Sequence, residues 1–524
     1  MTVSSGLSGI DHQSSLRVFV QHALLFVGCL LFHIAGTWSL PLIDRDEPRF
    51  AEASREMIQR SDYVVPYFNN QLRLDKPPLT YWAQTVSYRI FGENDFAARF
   101  PSAVAAALVA ITIPIRGLKI GGGATGWRAA IIFTLCLQTF VHAKAAVADM
   151  WLALFVTTAH WSALELLRDG LTNTPHQAAP AKHQTTHWWF LFYVSLALGF
   201  LAKGPIAWTP LLTVAATRFY AHDLQLGRRF KFVRGIALML VIVAAWGIPA
   251  LIRTNGEFLR IGIGRHVIGR SFATMEGHGL DSLGGYILLL PFYFVTVFVS
   301  FFPWSIKLPW LLKRLWHKRD NIDCYLFSGA AIIFIIFSLI KTKLPHYTLP
   351  AFGMLALLVA RHWTHQEVSV GGSEEASPSR KEGNRPAAVA RRRSPFTTIA
   401  VATASVLLAI ALVVPPLVAR FFPAYQLFKE SRAHLQPNMQ FAAVEFQEPS
   451  LVWYFRSELR GFLKRLNKKN AAEFMSKPGP RLIVVPASLA PTLFPNQQAT
   501  TFSTRGFNIP KGKEVDLTVL LKPE

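Results

Sequence analysis

Apolar positions along this chain come in long blocks of similar size, with short polar punctuation between them. Blocks of spanning length fall at 18–41, 97–116, 124–143, 148–167, 187–202, 204–221, 232–252, 283–303, 321–340, 344–361 and 397–417, each near the ~20 residues that cross ~30 Å of hydrocarbon. They predict a multi-pass α-helical membrane protein of about eleven transmembrane helices; two blocks are short and proline-flanked and the long 283–316 region has room for an extra crossing, so the count reaches up to about thirteen. An odd count puts the two termini on opposite sides. The first block lacks a small-residue cleavage site, so it reads as a retained first helix and not a removed signal peptide.

The stretches between blocks carry patterns of their own. In EPRFAEASREMIQ, Pro48 suits a first helical turn, and Phe50, Ala53, Ser54, Met57 and Ile58 share one face while Arg49, Glu52, Arg55, Glu56 and Gln59 take the other. After Pro77–Pro78, Leu79, Trp82, Val86 and Ile90 are again spaced for one helical face, flanked by Tyr81 and Tyr88. Both segments are expected to lie in the membrane interface within an outer loop over 42–96. Residues 367–395 are rich in Gly, Ser, Pro and charge, too polar to pack a core, and predict a disordered linker within 362–396. From 418 to 524 strand-like runs (RLIVVPA, EVDLTVLL) surround a helix-like SLVWYFRSELRGFLKRL, which suggests a small α/β domain after a membrane domain over 1–417. No repeat period is present.

Composition agrees with the membrane assignment: 51% of residues are hydrophobic and 16% charged, with a mean hydropathy of +0.29. A formal charge of +23 would suggest nucleic acid in a soluble protein, so its location matters. It gathers at Arg116, Lys119 and Arg128; at Arg228, Arg229, Lys231 and Arg234; at Lys313, Arg314, Lys318 and Arg319; and at Lys381 with Arg391, Arg392 and Arg393. With an inside N-terminus all four clusters fall on the cytoplasmic side, which makes them a topology signal and removes the nucleic-acid reading. Cys29, Cys136 and Cys324 lie in or beside apolar blocks without metal-ligand spacing, and no disulfide framework is indicated.

The remaining polar residues collect on the opposite face. Asp46 and the Asp75–Lys76 pair lie in the first outer loop, Asp149 opens the fourth block from outside, and Lys203 sits at the outer turn after the fifth. Arg265, His266 and Arg270 fall in a second outer loop, and Lys341, Lys343 and His346 lie at the outer turn where the tenth block begins. Lys203, Lys341 and Lys343 run against positive-inside sorting. Singly, Asp149 could cap a helix, Lys203 could snorkel and His266 could fill an interface. Together, carboxylates and cations at one membrane surface suit an anionic lipid phosphate bound beside a group undergoing acid–base chemistry. A transporter would instead need polar groups near the midplane on paired half-helices.

DRDEPRFAE, LDKPPLTYW, ARFPSA, VADMWLALF, LAKGP, RHVIGR…GHG…FFPW and KLPHYTLPAF follow one another over residues 40 to 355, with a weaker echo in EPSLVWYFRS. In this order they resemble the motif series of the GT-C-fold glycosyltransferases, in the clan of aminoarabinose transferases and protein mannosyltransferases. The resemblance implies a multi-pass enzyme of the plasma (inner) membrane that takes a sugar from a polyprenyl-phosphate carrier. It would transfer that sugar, with inversion, to a lipid, glycan or protein acceptor on the outer face.

By motif, Asp46 matches the acidic first-loop residue that meets the acceptor, with Glu47 and Arg49 beside it, and Asp149 matches a second catalytic position. Lys76, Lys203, Arg270, Lys341, Lys343 and Tyr347 are implied to hold the carrier phosphate, with His346 next to them. Asp75 stands where aminoarabinose transferases more often have Glu, one methylene longer; the resemblance implies a divalent metal there, zinc by ligand type, with His266 as its second ligand. Fixed cations would stabilise the charge that develops on the leaving phosphate, and Asp46 would take a proton from a hydroxyl acceptor or simply position an anionic one. A flippase for a lipid-linked sugar and a non-catalytic scaffold are the alternatives from other classes.

Overall fold

The computed structural model describes residues 6–172, 182–221, 224–269, 282–374, 394–495 and 499–523. Among them, six helices are long and apolar enough to cross a membrane: Leu16–Ile34, Asp95–Gly117, Asp149–Leu171, Leu226–Arg253, Asn321–Leu339 and Pro395–Phe421. Gly123–Leu135 and Leu137–Ala143 make a seventh if the pair, bent by 65°, is one span. The chain is therefore a multi-pass helical membrane protein. Several other predicted blocks are apolar but broken. The block at 204–221 opens on Gly204, at φ 89°, and becomes a 3-10 turn Pro205–Trp208 followed by the short helix Thr209–Ala216. The block at 283–303 divides into Leu283–Leu288 and Phe292–Ser300 around Pro291, and 344–361 begins as a 3-10 turn Pro345–Ala351 containing Pro350. Hydropathy registers the apolar side chains of these segments, whereas proline removes an N–H and interrupts the ladder they would need.

Small residues set the packing of the membrane domain. Helix Asp95–Gly121 buries Ala97, Ala98, Ala103, Ala105, Ala106, Ala107 and Ala110, so neighbouring backbones come close, the usual means of helix association where lipid is as apolar as leucine. A Cβ added to Gly117 would stand 2.1 Å from the Gly126 Cα. This core holds the outer ends of Asp149–Leu171 and Lys182–Lys203 next to the first outer loop.

That loop differs from its expected form. It contains helix Asp46–Arg60, a two-strand hairpin pairing Tyr67–Phe68 with Gln71–Leu72, and helix Leu79–Phe91. The second helix keeps Val86 and Ile90 exposed, as an interfacial helix would. The first does not lie on a surface: its apolar face is buried, and so are Glu52, Arg55 and Glu56 on its charged face. Those charges meet the C-terminal domain.

The C-terminal residues form a five-stranded sheet in the order Lys464–Leu466, Gln440–Val444, Arg481–Pro486, Lys513–Lys522, Thr500–Asn508. The first three strands are parallel and the last two antiparallel. Alternate residues serve opposite faces: Leu482 and Val484 pack toward the outer loop with Ala51 and Tyr88, while Ile483 and Val485 pack on Ala471 and Met475. The strands at 481–486 and 513–522 lie where the sequence suggests. The helix expected over 450–466 is shorter, Pro449–Phe455, and Lys464–Leu466 is a strand beside Gln440–Val444; parallel pairing with a distant strand overrides the local helical pattern. Most of the linker expected at 367–395 lies outside the described residues.

Candidate active site

A cavity of about 340 Å³ opens between the outer loop and helix Phe232–Arg253. One end carries Asp75, Lys76, Lys203 and His266; the wall is Leu240, Val243, Ala244, Gly247, Ile248 and Leu251, with Trp246 and Phe258 behind. Leu240 and Ile248 are also about half exposed on the outer surface of their helix, so the apolar end of the cavity adjoins the lipid-facing side. A charged head and an apolar trough thus share one space, the division an amphiphile requires.

Lys203 reaches the cavity because its helix ends there, Gly204 turning the chain at φ 89°. Its ammonium donates to Asp149 Oδ1 at 2.5 Å, and both side chains are nearly inaccessible. His346 Nε2 is 3.7 Å from the same oxygen, its ring 4.8 Å from that of His142, and the Lys203 ammonium lies 5.2 Å from the Tyr347 ring centre. His142 and Gln138 are bonded at 2.7 Å between Nδ1 and Nε2. Asp149, Lys203, His346 and Tyr347, far apart in sequence, therefore form one group, to which the structure adds His142.

Asp46 opens its helix with a side chain 67% exposed and 4.0 Å from Arg49. Its neighbour Glu47 is buried and serves the loop: it accepts from Arg99 at 2.7 and 2.9 Å, from the Ala146 N–H at 2.7 Å and from the Ile43 N–H at 2.8 Å. Asp75 is held by Arg73 at 3.2 Å, while its Oδ1 is buried without a hydrogen-bond partner. Burial raises the Asp75 carboxyl, but Arg73, Lys76 and His266 outweigh it and keep the group below the ordinary carboxylate range. Arg73 also donates to Tyr81 Oη at 2.9 Å, and its guanidinium lies 5.1 Å from the Phe50 ring centre, which brings it against helix Asp46–Arg60.

Two of the predicted cations stand elsewhere. Lys343 is buried and donates to the carbonyls of Phe337 and Ser338 at 3.1 and 2.5 Å, closing the end of helix Asn321–Leu339 as basic residues do at helix C-termini. Lys341 does not line the cavity. Arg270 lies outside the described residues. Arg73, Arg99 and His142 were not legible as site residues, since each draws its meaning from a partner 2 to 204 positions away; the signal available was that Arg73 lies in the loop that carries Asp46 and Asp75, and Arg99 at a span end, both apart from the four basic clusters.

The implied metal pair fits in part. The orphaned Asp75 Oδ1 and His266 share the cavity head, which offers two protein ligands where zinc sites usually have three or four. Among the described residues, His142, Asp149 and His346 bring ligand atoms within 4.8 Å of one another; there the carboxylate is already neutralised by the Lys203 ammonium, which a second cation would face at close range.

The multi-pass helical bundle thus carries this cavity beside the loop that holds Asp46 and Asp75. The family of dolichyl-phosphate-mannose-protein mannosyltransferases matches residues 75–248 of this chain. The chain is 27% identical over 357 residues to the undecaprenyl phosphate-alpha-4-amino-4-deoxy-L-arabinose arabinosyl transferase of Erwinia tasmaniensis, covering 66% of this chain and 60% of that protein. To one such transferase of Sodalis glossinidius it is 30% identical over 349 residues, covering 64% and 58%. The matched region thus spans about three fifths of the length of these relatives. The crystal structure of ArnT from Cupriavidus metallidurans bound to undecaprenyl phosphate superimposes with a TM-score of 0.72 at 21% identity, over 95% of this chain and 97% of that one; its apo state gives 0.70 at 20%, over 97% and 98%.

Proposed function

We propose that this protein is an inverting glycosyltransferase of the inner membrane that moves a sugar from a polyprenyl-phosphate carrier to a lipid, glycan or protein acceptor on the outer face. The observation that carries the reading is the cavity with Lys76 and Lys203 at its head and an apolar wall along helix Phe232–Arg253. Its form suits a phosphate on a long hydrocarbon tail, and the names of the relatives point to the same donor chemistry. The outer loop, the cavity head and the C-terminal sheet then lie on the extracytoplasmic side, and the broken segments at 204–221, 283–303 and 344–361 complete a crossing count near eleven.

Within this reading Lys76 and Lys203 hold the carrier phosphate and stabilise the charge left on it when the bond to sugar C1 breaks, with Tyr347 and Arg270 as further contacts. Asp149 sets the Lys203 ammonium, and His346 flanks it. Asp46, exposed above the cavity, meets the acceptor: it takes the proton of a hydroxyl or positions an anion. Lys343, engaged by two carbonyls, has a structural part instead. A divalent metal at Asp75 and His266 would supply further positive charge at the phosphate when bound; the unpartnered Asp75 oxygen favours it.

The test is an assay of purified protein with a panel of polyprenyl-phosphate sugars, reading free polyprenyl phosphate by mass spectrometry. Release dependent on an acceptor fraction is expected. Movement of the intact lipid-linked sugar across the bilayer without release would replace this reading with that of a flippase.

A further inference from the structure

Five of the nine residues Glu448–Arg456 of the C-terminal domain make polar or ring contacts to the Asp46 loop. The Tyr454 hydroxyl accepts from the Leu42 N–H at 2.8 Å. Ser450 donates to both carboxylate oxygens of Asp44, through its N–H at 2.8 Å and its hydroxyl at 2.5 Å, and Glu448 faces Arg45 at 3.6 Å. One turn further along the helix, Arg456 donates to Glu52, to Glu56 at 3.2 Å and to Gln59 at 3.1 Å. Arg55 returns a bond to the Trp453 carbonyl at 2.8 Å while its guanidinium lies 3.8 Å over the Trp453 ring. Glu52, Arg55 and Arg456 are almost wholly buried. Asp46 lies inside this frame with its own carboxylate still 67% exposed.

Buried ion pairs of this kind are poor sources of net stability, because desolvation offsets most of their attraction; what they do well is fix one arrangement. An apolar helix–helix contact would have held the two domains together with less demand on geometry. The paired charges instead fix the rotation and register of helix Asp46–Arg60 against Pro449–Phe455, and with them the place of its first residue. Resting on the transferase reading, we infer that Glu448–Arg456 is a positioning element for Asp46: the C-terminal domain sets the acceptor side of the active site, through Ser450 on Asp44 and Arg456 on Glu52 and Glu56, and leaves the donor side to the membrane helices.

The division is testable because these residues do not line the donor cavity. Ser450→Ala, Ser450→Thr and Arg456→Met are compared with the parent, as full-length protein in the same detergent. Donor affinity is read with undecaprenyl phosphate, turnover with the active donor, and amide hydrogen exchange over 42–60 and 149–171. For Ser450→Ala and Arg456→Met, turnover is expected to fall ~10–10²-fold, the scale of a catalytic group displaced by about an ångström, with undecaprenyl phosphate affinity unchanged. Exchange should rise over 42–60 and stay parental over 149–171. Ser450→Thr, which keeps the hydroxyl, should recover most of the turnover.

Parental exchange over 42–60 in both disruptive variants would overturn the inference. So would faster exchange there with parental turnover, or an equal fall in donor affinity and turnover, which would mark a general loss of structure. If the parent itself releases no sugar from any donor, the transferase reading fails; the exchange comparison then still decides whether this segment orders the Asp46 loop.

Discussion

Asp46 is the residue whose neighbours explain it. Asp44, Arg45 and Glu47 are each committed to partners, whereas the Asp46 carboxylate stays exposed beside Arg49. Asp46→Asn is therefore expected to leave folding and undecaprenyl phosphate affinity parental while transfer falls ~10²–10⁴-fold, the range for loss of one positioned acid–base group; parental turnover would remove Asp46 from the mechanism. Lys203 is different, being both a cavity cation and the partner of a buried carboxylate at 2.5 Å. Lys203→Met strands Asp149 and should cost ~3–5 kcal/mol of stability as well as donor affinity. Adding Asp149→Asn should restore the melting temperature without restoring transfer. Recovery of both by the double variant would make Lys203 a structural residue only.

Asp44 adds a pH dependence. Burial raises its carboxyl from 3.8 to about 7, the two bonds from Ser450 opposing it only in part. A carboxyl raised on folding contributes stability that is present below about pH 4 and is lost as pH climbs through about 7, at up to ~1.4 kcal/mol per pH unit. Thermal unfolding of Asp44→Asn from pH 5 to 8 should be flatter than that of the parent, and an unchanged slope would assign the titration elsewhere.

At the scale of elements, helix Phe232–Arg253 decides what the cavity admits. Gly247 lines it, and a Cβ added there would meet nothing within 4 Å, so the position is open because the cavity is open. Gly247→Leu should fill the trough without disturbing the helix: undecaprenyl phosphate binding, measured by ligand-induced thermal shift, is expected to weaken markedly while the ligand-free melting temperature stays parental. An undiminished shift would place the lipid tail elsewhere. The outer helix Asp46–Arg60 shows how an element can be read correctly and placed wrongly. Its period and its two faces were visible in EPRFAEASREMIQ, but a charged face looks the same whether water or a second domain's arginine will satisfy it.

For the whole molecule, sidedness is the claim with most reach. If 42–96, 253–282 and 420–524 are outside and 362–396 inside, single cysteines placed in these segments, after replacement of Cys29, Cys136 and Cys324, should react with an impermeant reagent in sealed cells only in the first three. Labelling at position 380 would invert the map.

The sequence by itself determined the membrane class, the places where apolar blocks begin and end, and the order of motifs that carry Asp46, Lys76, Asp149, Lys203 and His346. These follow from composition and short-range periodicity, which the chain carries locally. Tertiary structure decided that Lys203 meets Asp149, that Lys343 closes a helix instead of facing the cavity, that Arg73 joins Asp75 to the Asp46 loop, and that Arg456 seals Glu52 beneath the C-terminal sheet. Each of these depends on which buried charge finds which partner across up to 404 positions. The free energy of burying a charge is set by that partner, and no local pattern records it.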